Sequence, residues 1–228
     1  MAASVAVSED GALIAQSYQR SGLTHSRTLL PMCRDLLENC GLTLGEMDVV
    51  AVAAGPGSFT GLRIGVATAK GLAWPGDKPC AGVSTLEAMA WPLAHLEGDL
   101  CAVMDARRHQ VYNARFQAEG GQLLRLCPDR AISIDELAAE LLSREKTQIL
   151  VGDGAELCYN ELTKRGLPVR LAPPHLRWQS AWGVARAAEE LARTGGLVTA
   201  AELAPVYHRL SQAERERLAR QQAAADDR

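Results

Sequence analysis

Three short segments carry residue types that could do chemistry. The first is Gly55-Pro56-Gly57-Ser58-Phe59, set between the apolar run 49–54 and a stretch of helical spacing that begins near Thr60. A glycine loop between strand and helix gathers backbone N–H groups at a helix N-terminus, where a phosphate can bind. A tight turn needed only for packing has the same composition. No Lys-Ser or Lys-Thr pair closes the loop as in a Walker A motif, and Arg63 and Lys70 fall inside the helix. The second segment, Asp105-Ala106-Arg107-Arg108, lies just past a strand expected over 100–104, at the end where α/β sheets place ligand sites. An Asp–Arg ion pair that merely orders the segment is the plainer alternative. The third, Asp153 between Gly152 and Gly154, has the same two readings. Gly57, Ser58, Asp105, Arg107 and Asp153 are thus the candidate nucleotide residues.

Other chemistries find no support. The five histidines (25, 95, 109, 175, 208) include no pair three or four apart, and neither HExxH nor GxSxG occurs. Six scattered cysteines without a CxxC pair read as reduced core residues, and no zinc site is expected. Net charge of −3 gives no general pull toward nucleic acid, and 4% aromatic content argues against a base-stacking surface. With no 18-residue apolar span and no leader signal, a cytoplasmic protein is expected.

The elements that must position these segments follow from patterning. Residues 2–7 and 12–19 read as a hairpin across Ser8-Glu9-Asp10-Gly11. Thr24 is a candidate N-cap for a helix to Cys40, with Gly41 at its end and a kink or broken turn at Pro31. Leu29, Met32, Cys33, Leu36, Leu37 and Cys40 form its apolar stripe. In the central helix, Gly61, Gly65, Ala69 and Ala73 recur every four residues, leaving one side almost without bulk. Glycine in a helix interior costs about 0.5–1 kcal/mol against alanine, so close approach of another backbone is the expected offset. That backbone could belong to this chain or to a partner.

Further along, strands are expected at 80–83, 100–104, 110–117, 122–126 and 149–151. Capping boxes are expected at Thr43–Glu46, Ser84–Glu87 and Ser133–Glu136, and helices near 155–165 and 180–193. Trp74, Trp91, Trp178 and Trp182 read as core or lobe-junction packing, and the charged tail from Ser211 as a helix that frays after about Gln221. A hairpin followed by strand–helix units occurs twice, which predicts two α/β lobes with mixed sheets, 1–99 and 100–228.

The stretch GPGSFTGLRIGVATAKGLAW resembles the signature of the TsaB (YeaZ) family. Further matches follow in order: His25-Ser26 with Leu29-Leu30-Pro31, Val83 to Ala88, Asp105 to Arg108 with Val111-Tyr112, Gly152-Asp153-Gly154, and Ala204 to Arg209. The resemblance implies a two-lobe actin-like (ASKHA, RNase H-like) fold. It implies a part in making N6-threonylcarbamoyladenosine (t6A) at position 37 of tRNAs reading codons that begin with A. In that system TsaC makes threonylcarbamoyl-AMP and TsaD, which carries the metal site, transfers the group. TsaB pairs with TsaD, and the ATPase TsaE binds the pair.

The family's own role is non-catalytic, its members also form homodimers, and tRNA is met only through the complex. TsaD's metal motif is two histidines four apart, whereas here His25 has Leu29 at that offset. No metal and no cofactor of its own is expected, although ATP or ADP could sit at the junction with TsaD. Pairing in the family uses the first two helices. His25, Leu29, Leu30, Cys33, Leu36, Thr60, Gly61, Leu62, Gly65, Val66 and Ala69 are therefore the expected partner interface. A stand-alone actin-like nucleotide hydrolase, or a residual M22-type peptidase, is the alternative.

Two departures stand out. The family begins with a strand ending in Asp-Thr-Ser or similar ahead of the segment matching Ala2–Val7, so that strand and its phosphate-facing loop are expected to be missing here, through a late start codon or a true shortening. One hairpin arm would then lie exposed or pair elsewhere. The second is His208, where the family usually has leucine.

Overall fold

The computed structural model describes residues 2–22, 24–143 and 146–209; the expected tail helix lies outside the described residues. Two α/β lobes are built on a related plan. In the first, strands β1 (Ala3–Glu9) and β2 (Ala12–Gln19) form an antiparallel hairpin, followed by helix α1 (His25–Cys40). Strand β3 (Val50–Gly55), helix α2 (Phe59–Ala73) and strand β4 (Cys80–Ser84) then make a strand–helix–strand crossover in which β3 and β4 pair in parallel. Short helix α3 (Thr85–Ala90) leads to the second lobe.

That lobe contains β5 (Gly98–Asp105), β6 (Gln110–Glu119), β7 (Gln122–Arg125), β8 (Arg130–Ser133), α4 (Ile134–Leu142), β9 (Gln148–Val151), α5 (Ala155–Lys164) and β10 (Val169–Leu171). Its six strands form one mixed sheet ordered β10-β9-β5-β6-β7, with β8 also on β6. Helix α3, through Leu86 and Met89, and the short turn after it, through Leu93, cover one face, while α4 and α5 cover the other through Leu137, Leu141 and Leu162. Burial on both faces is why β5 and β9 read as continuous apolar runs rather than alternating ones.

Local signals place most helix starts. Ser58 Oγ accepts from Gly61 N at 3.4 Å, and Ser133 makes a full capping box with Glu136. At Ser84 only half the expected box forms. Its hydroxyl accepts from Glu87 N, but the Glu87 carboxylate turns away to Arg125 at 2.6 Å, an ion pair joining α3 to the second lobe. Thr24 sits at the N-cap position of α1 without a side-chain cap, and α1 runs on through Pro31 as one helix. Strands β8 and β10 were not expected from the sequence; both are short, at four and three residues.

The boundary between lobes does not follow chain order. Helix α6 (Ala181–Arg193) returns to the first lobe, where Ala187 and Ala188 pack with Ala81, Val83 and Trp91. Val198 pairs with Cys80, and Ala200 and Leu203 join Val66, Ala69 and Ala73. Residues 100–228 therefore are not a separate packing unit. Of the tryptophans, Trp91 is core, as expected, but Trp74 is 66% exposed at the end of α2. No helix among the described residues is long and apolar enough to cross a membrane.

Candidate partner face and lobe-junction loops

The small-residue side of α2 faces this chain. A Cβ on Gly65 would lie 3.4 Å from Val52 Cγ2 of β3, and one on Gly61 would lie 3.5 Å from His25 Cδ2 of α1. Ala69 and Ala73 are buried against β4 and the returning segment around Leu203. The offset for helical glycine is thus intramolecular: α2 seats closely on β3 and on the start of α1. Five of the expected interface residues are thus engaged within the chain. Leu62 (8% exposed), Val66 (4%) and Ala69 (5%) belong to the chain's own core, and Gly61 and Gly65 pack internally.

What remains open lies mainly on α1. Although sixteen residues long and amphipathic, it buries only Met32. Leu29, Cys33 and Leu36 of the expected set are half-buried, with His25, and Leu30 is 55% exposed. Thr60 is exposed on the adjoining side of α2. An apolar stripe that its own lobe leaves half open is a surface another protein can cover.

A second cluster forms at the start of α2. The Phe59 ring stacks on Tyr207 at 4.8 Å, the Arg63 guanidinium lies 4.1 Å from the Phe59 centroid, and Arg63 Nε donates to the Tyr207 hydroxyl at 3.3 Å. Val206 N donates to Ala54 O at 2.8 Å, just ahead of the glycine loop. Gly55 is required there, since a Cβ would sit 2.2 Å from Val206 O and its φ of +145° is outside the range of other residues. Phe59, Arg63, Val206 and Tyr207 were not expected as site residues, because 204–209 was read only as a family match and nothing local in the sequence joins it to the start of α2.

The same segment reaches the other lobe, where Arg209 donates to Ala106 O. At that point Asp105, Arg107 and Asp153 come together at the carboxyl ends of the parallel strands β5 and β9. Asp105 Oδ1 accepts from Arg107 N at 2.7 Å, while the Asp105 backbone N–H donates to Asp153 Oδ1 at 3.2 Å. The expected Asp105–Arg107 ion pair is loose, at 3.7 Å with Arg107 87% exposed. Arg107, Arg108 and His109 all adopt positive φ in the tight β5–β6 turn. Burial pushes the Asp153 carboxyl above its ordinary range; the Asp105 N–H opposes the shift and the Asp105 charge adds to it. Gly57 packs on Leu62 and Ser58 caps α2, so both are engaged within the first lobe. Among the described residues, no three His, Cys, Asp or Glu side chains are grouped to hold a metal.

A family model described as "TsaD: tRNA N6-adenosine threonylcarbamoyltransferase" matches residues 19–161. The "tRNA threonylcarbamoyladenosine biosynthesis protein TsaB" of Bacillus subtilis (strain 168) is 33% identical over 153 residues, 67% of each chain. The chain belongs to the TsaB family. The TsaB of Escherichia coli (strain K12) is 39% identical over 120 residues, with only 52% of each chain spanned. Among solved structures, one from Pseudomonas aeruginosa described as "an uncharacterized protein with similarity to peptidase YEAZ" aligns with a TM-score of 0.77 at 29% identity, over 91% of this chain and 94% of that one. "YeaZ from Pseudomonas aeruginosa" aligns at 0.74 and 28%. The two mixed α/β lobes of this TsaB-family chain are accordingly an actin-like, ASKHA-type fold.

Proposed function

We propose that this chain is a non-catalytic subunit of the t6A machinery that pairs with TsaD and makes its transfer of threonylcarbamoyl to adenosine 37 of tRNA productive. The observation that carries the reading is the half-open apolar stripe of α1, with Leu30 55% exposed on a helix that buries one residue of sixteen. The names of the relatives support the pathway, and the open stripe supports a partner surface on α1. On this reading the same face closes a homodimer when TsaD is absent, and TsaE binds the pair. ATP or ADP takes the junction near Asp105, Arg107 and Asp153, and tRNA is met only through the complex.

Size-exclusion chromatography with light scattering, on this chain alone and mixed with its cognate TsaD, tests the proposal. A one-to-one complex is expected, and Leu30→Asp is expected to weaken it at least tenfold while leaving the thermal midpoint within about 2 °C, since exposed positions contribute little to folding. A Leu30→Asp chain that pairs as tightly as the parent would remove α1 from the interface. Turnover of ATP or a peptide by this chain alone would favour the enzyme reading instead.

A further inference from the structure

We propose that the outer edge of β2 docks a second copy of this chain, the two β2 strands pairing antiparallel about a two-fold axis at Gln16. A sheet edge offers a row of unpaired N–H and C=O groups, and proteins ordinarily blunt it with short strands, charges or proline. The second lobe does so. Its outer strands β10, β7 and β8 are three, four and four residues long and carry Arg170, Arg125 and Arg130. Strand β2 has eight residues, with neither a charge nor a proline among them. Among the described residues it pairs only with β1. Its one irregularity lies next to the turn, where Val7 pairs with Ala15 and Ser8 with Leu13, so that Ile14 has no partner on β1.

The exposed side chains name the occupant. Ile14 is 47% exposed and Tyr18 40%, and the two stand symmetrically about Gln16. They also share a face. Ser4, opposite Tyr18, accepts from Ala181 N at the start of α6 at 2.7 Å, and Gln16 Oε1 accepts from Ser180 Oγ at 3.4 Å. Gln16 and Tyr18 therefore lie on the α6 side of the hairpin, and alternation from Ala15 puts Ile14 there too. A two-fold axis through Gln16, perpendicular to the sheet, sets Ile14 against Tyr18 of the second copy and Tyr18 against its Ile14. The result is one aromatic–β-branched pair made twice. Ala15 and Ser17, half-buried on the opposite face, meet each other in the same register. The ends match in charge: Ala12 comes opposite Arg20, which brings the acidic turn Glu9-Asp10 of each copy toward the basic end of the other's strand.

This contact uses none of the exposed α1 residues and is separate from the pairing with TsaD proposed above. An edge of this length, with two large side chains from each copy, is expected to bury less than the roughly 1,200–2,000 Å² of stable complexes. Dimerisation with a Kd on the order of 10 µM is therefore expected.

Light scattering on the full chain carrying Leu30→Asp, which blocks pairing through α1, tests the edge alone. A dimer is expected at roughly 100 µM and a monomer at roughly 1 µM. On that background Ile14→Glu/Tyr18→Glu sets like charges opposite each other and is expected to weaken the dimer at least tenfold, whereas Ile14→Lys/Tyr18→Glu sets opposite charges there and is expected to stay within about threefold of the parent. Thermal midpoints at roughly 1 µM are expected to agree within about 2 °C, because both positions are exposed. Hydrogen exchange of the parent supplies a readout that needs no variant: half of the β2 amides are expected to slow at least fivefold between roughly 1 and 100 µM. A chain that stays monomeric at the higher concentration, or a dimer that the two double variants affect alike, would overturn the proposal. So would protection of every β2 amide at the lower concentration, since the chain would then be covering its own edge.

Discussion

Replacing Gly65 with leucine separates the two things a small-residue helix face can do. If that face met a partner, the substitution would spare folding and abolish pairing. The structure directs it inward, where a Cβ would already stand 3.4 Å from Val52 Cγ2. Gly65→Ala adds only that carbon, at ordinary contact, and gains helix propensity of about 0.5–1 kcal/mol, so it is expected to be neutral or slightly stabilising. Gly65→Leu adds three more carbons with β3 in the way, an overpacking cost of about 1–3 kcal/mol from which the propensity gain subtracts. The net loss, on the order of 1–2 kcal/mol, corresponds to roughly 2–8 °C in thermal midpoint for a chain of this size. Urea unfolding of Gly65→Leu, Val52→Ala and the double variant supplies the check, with a coupling of about 1 kcal/mol expected because the second change makes room for the first. A Gly65→Leu chain with parental stability and additive coupling, but no longer able to pair with TsaD, would refute the inward placement.

Two further outcomes follow from the packing and the charges. Gly183→Ala should be far more damaging, since its Cβ would fall 1.8 Å from the Ala88 carbonyl oxygen where α6 crosses α3. A loss above about 3 kcal/mol, or no soluble folded protein by circular dichroism, is expected, because backbone must move. Asp153→Asn should stabilise the chain near pH 7. The native state holds the Asp153 proton more tightly than the unfolded chain, so this carboxyl subtracts stability progressively as pH rises above its ordinary value of 3.8. The amide oxygen can still accept the Asp105 N–H. Thermal midpoints of the two proteins should converge below about pH 4 and diverge as pH rises; a constant difference across that range would remove titration as the cause.

Much of the architecture was legible in residue order alone. The strand–glycine loop–helix unit, the Ser58 and Ser133 caps, the β1–β2 turn and the paired lobe pattern are local features, set by φ preferences and hydrophobic period within a few residues. So was the separate candidacy of Asp105 and of Asp153, since each follows an apolar run that had to be a buried strand; their contact was not. Direction was not legible. The spacing of Gly61, Gly65, Ala69 and Ala73 defines a thin side of a helix but contains nothing about what lies against it.

Only the tertiary structure decided that Val52, His25 and Leu203 occupy that side, and that Leu30 and Trp74 stand outside. The return of α6 and of residues 198–209 to the first lobe was hidden for the same reason. Val206, Tyr207 and Arg209 touch residues more than a hundred positions away, and contacts of that span leave no periodic trace in the chain. Local sequence determines which backbone conformations and faces are available; which faces meet depends on closing long loops around a shared core, a choice made by all the surfaces at once.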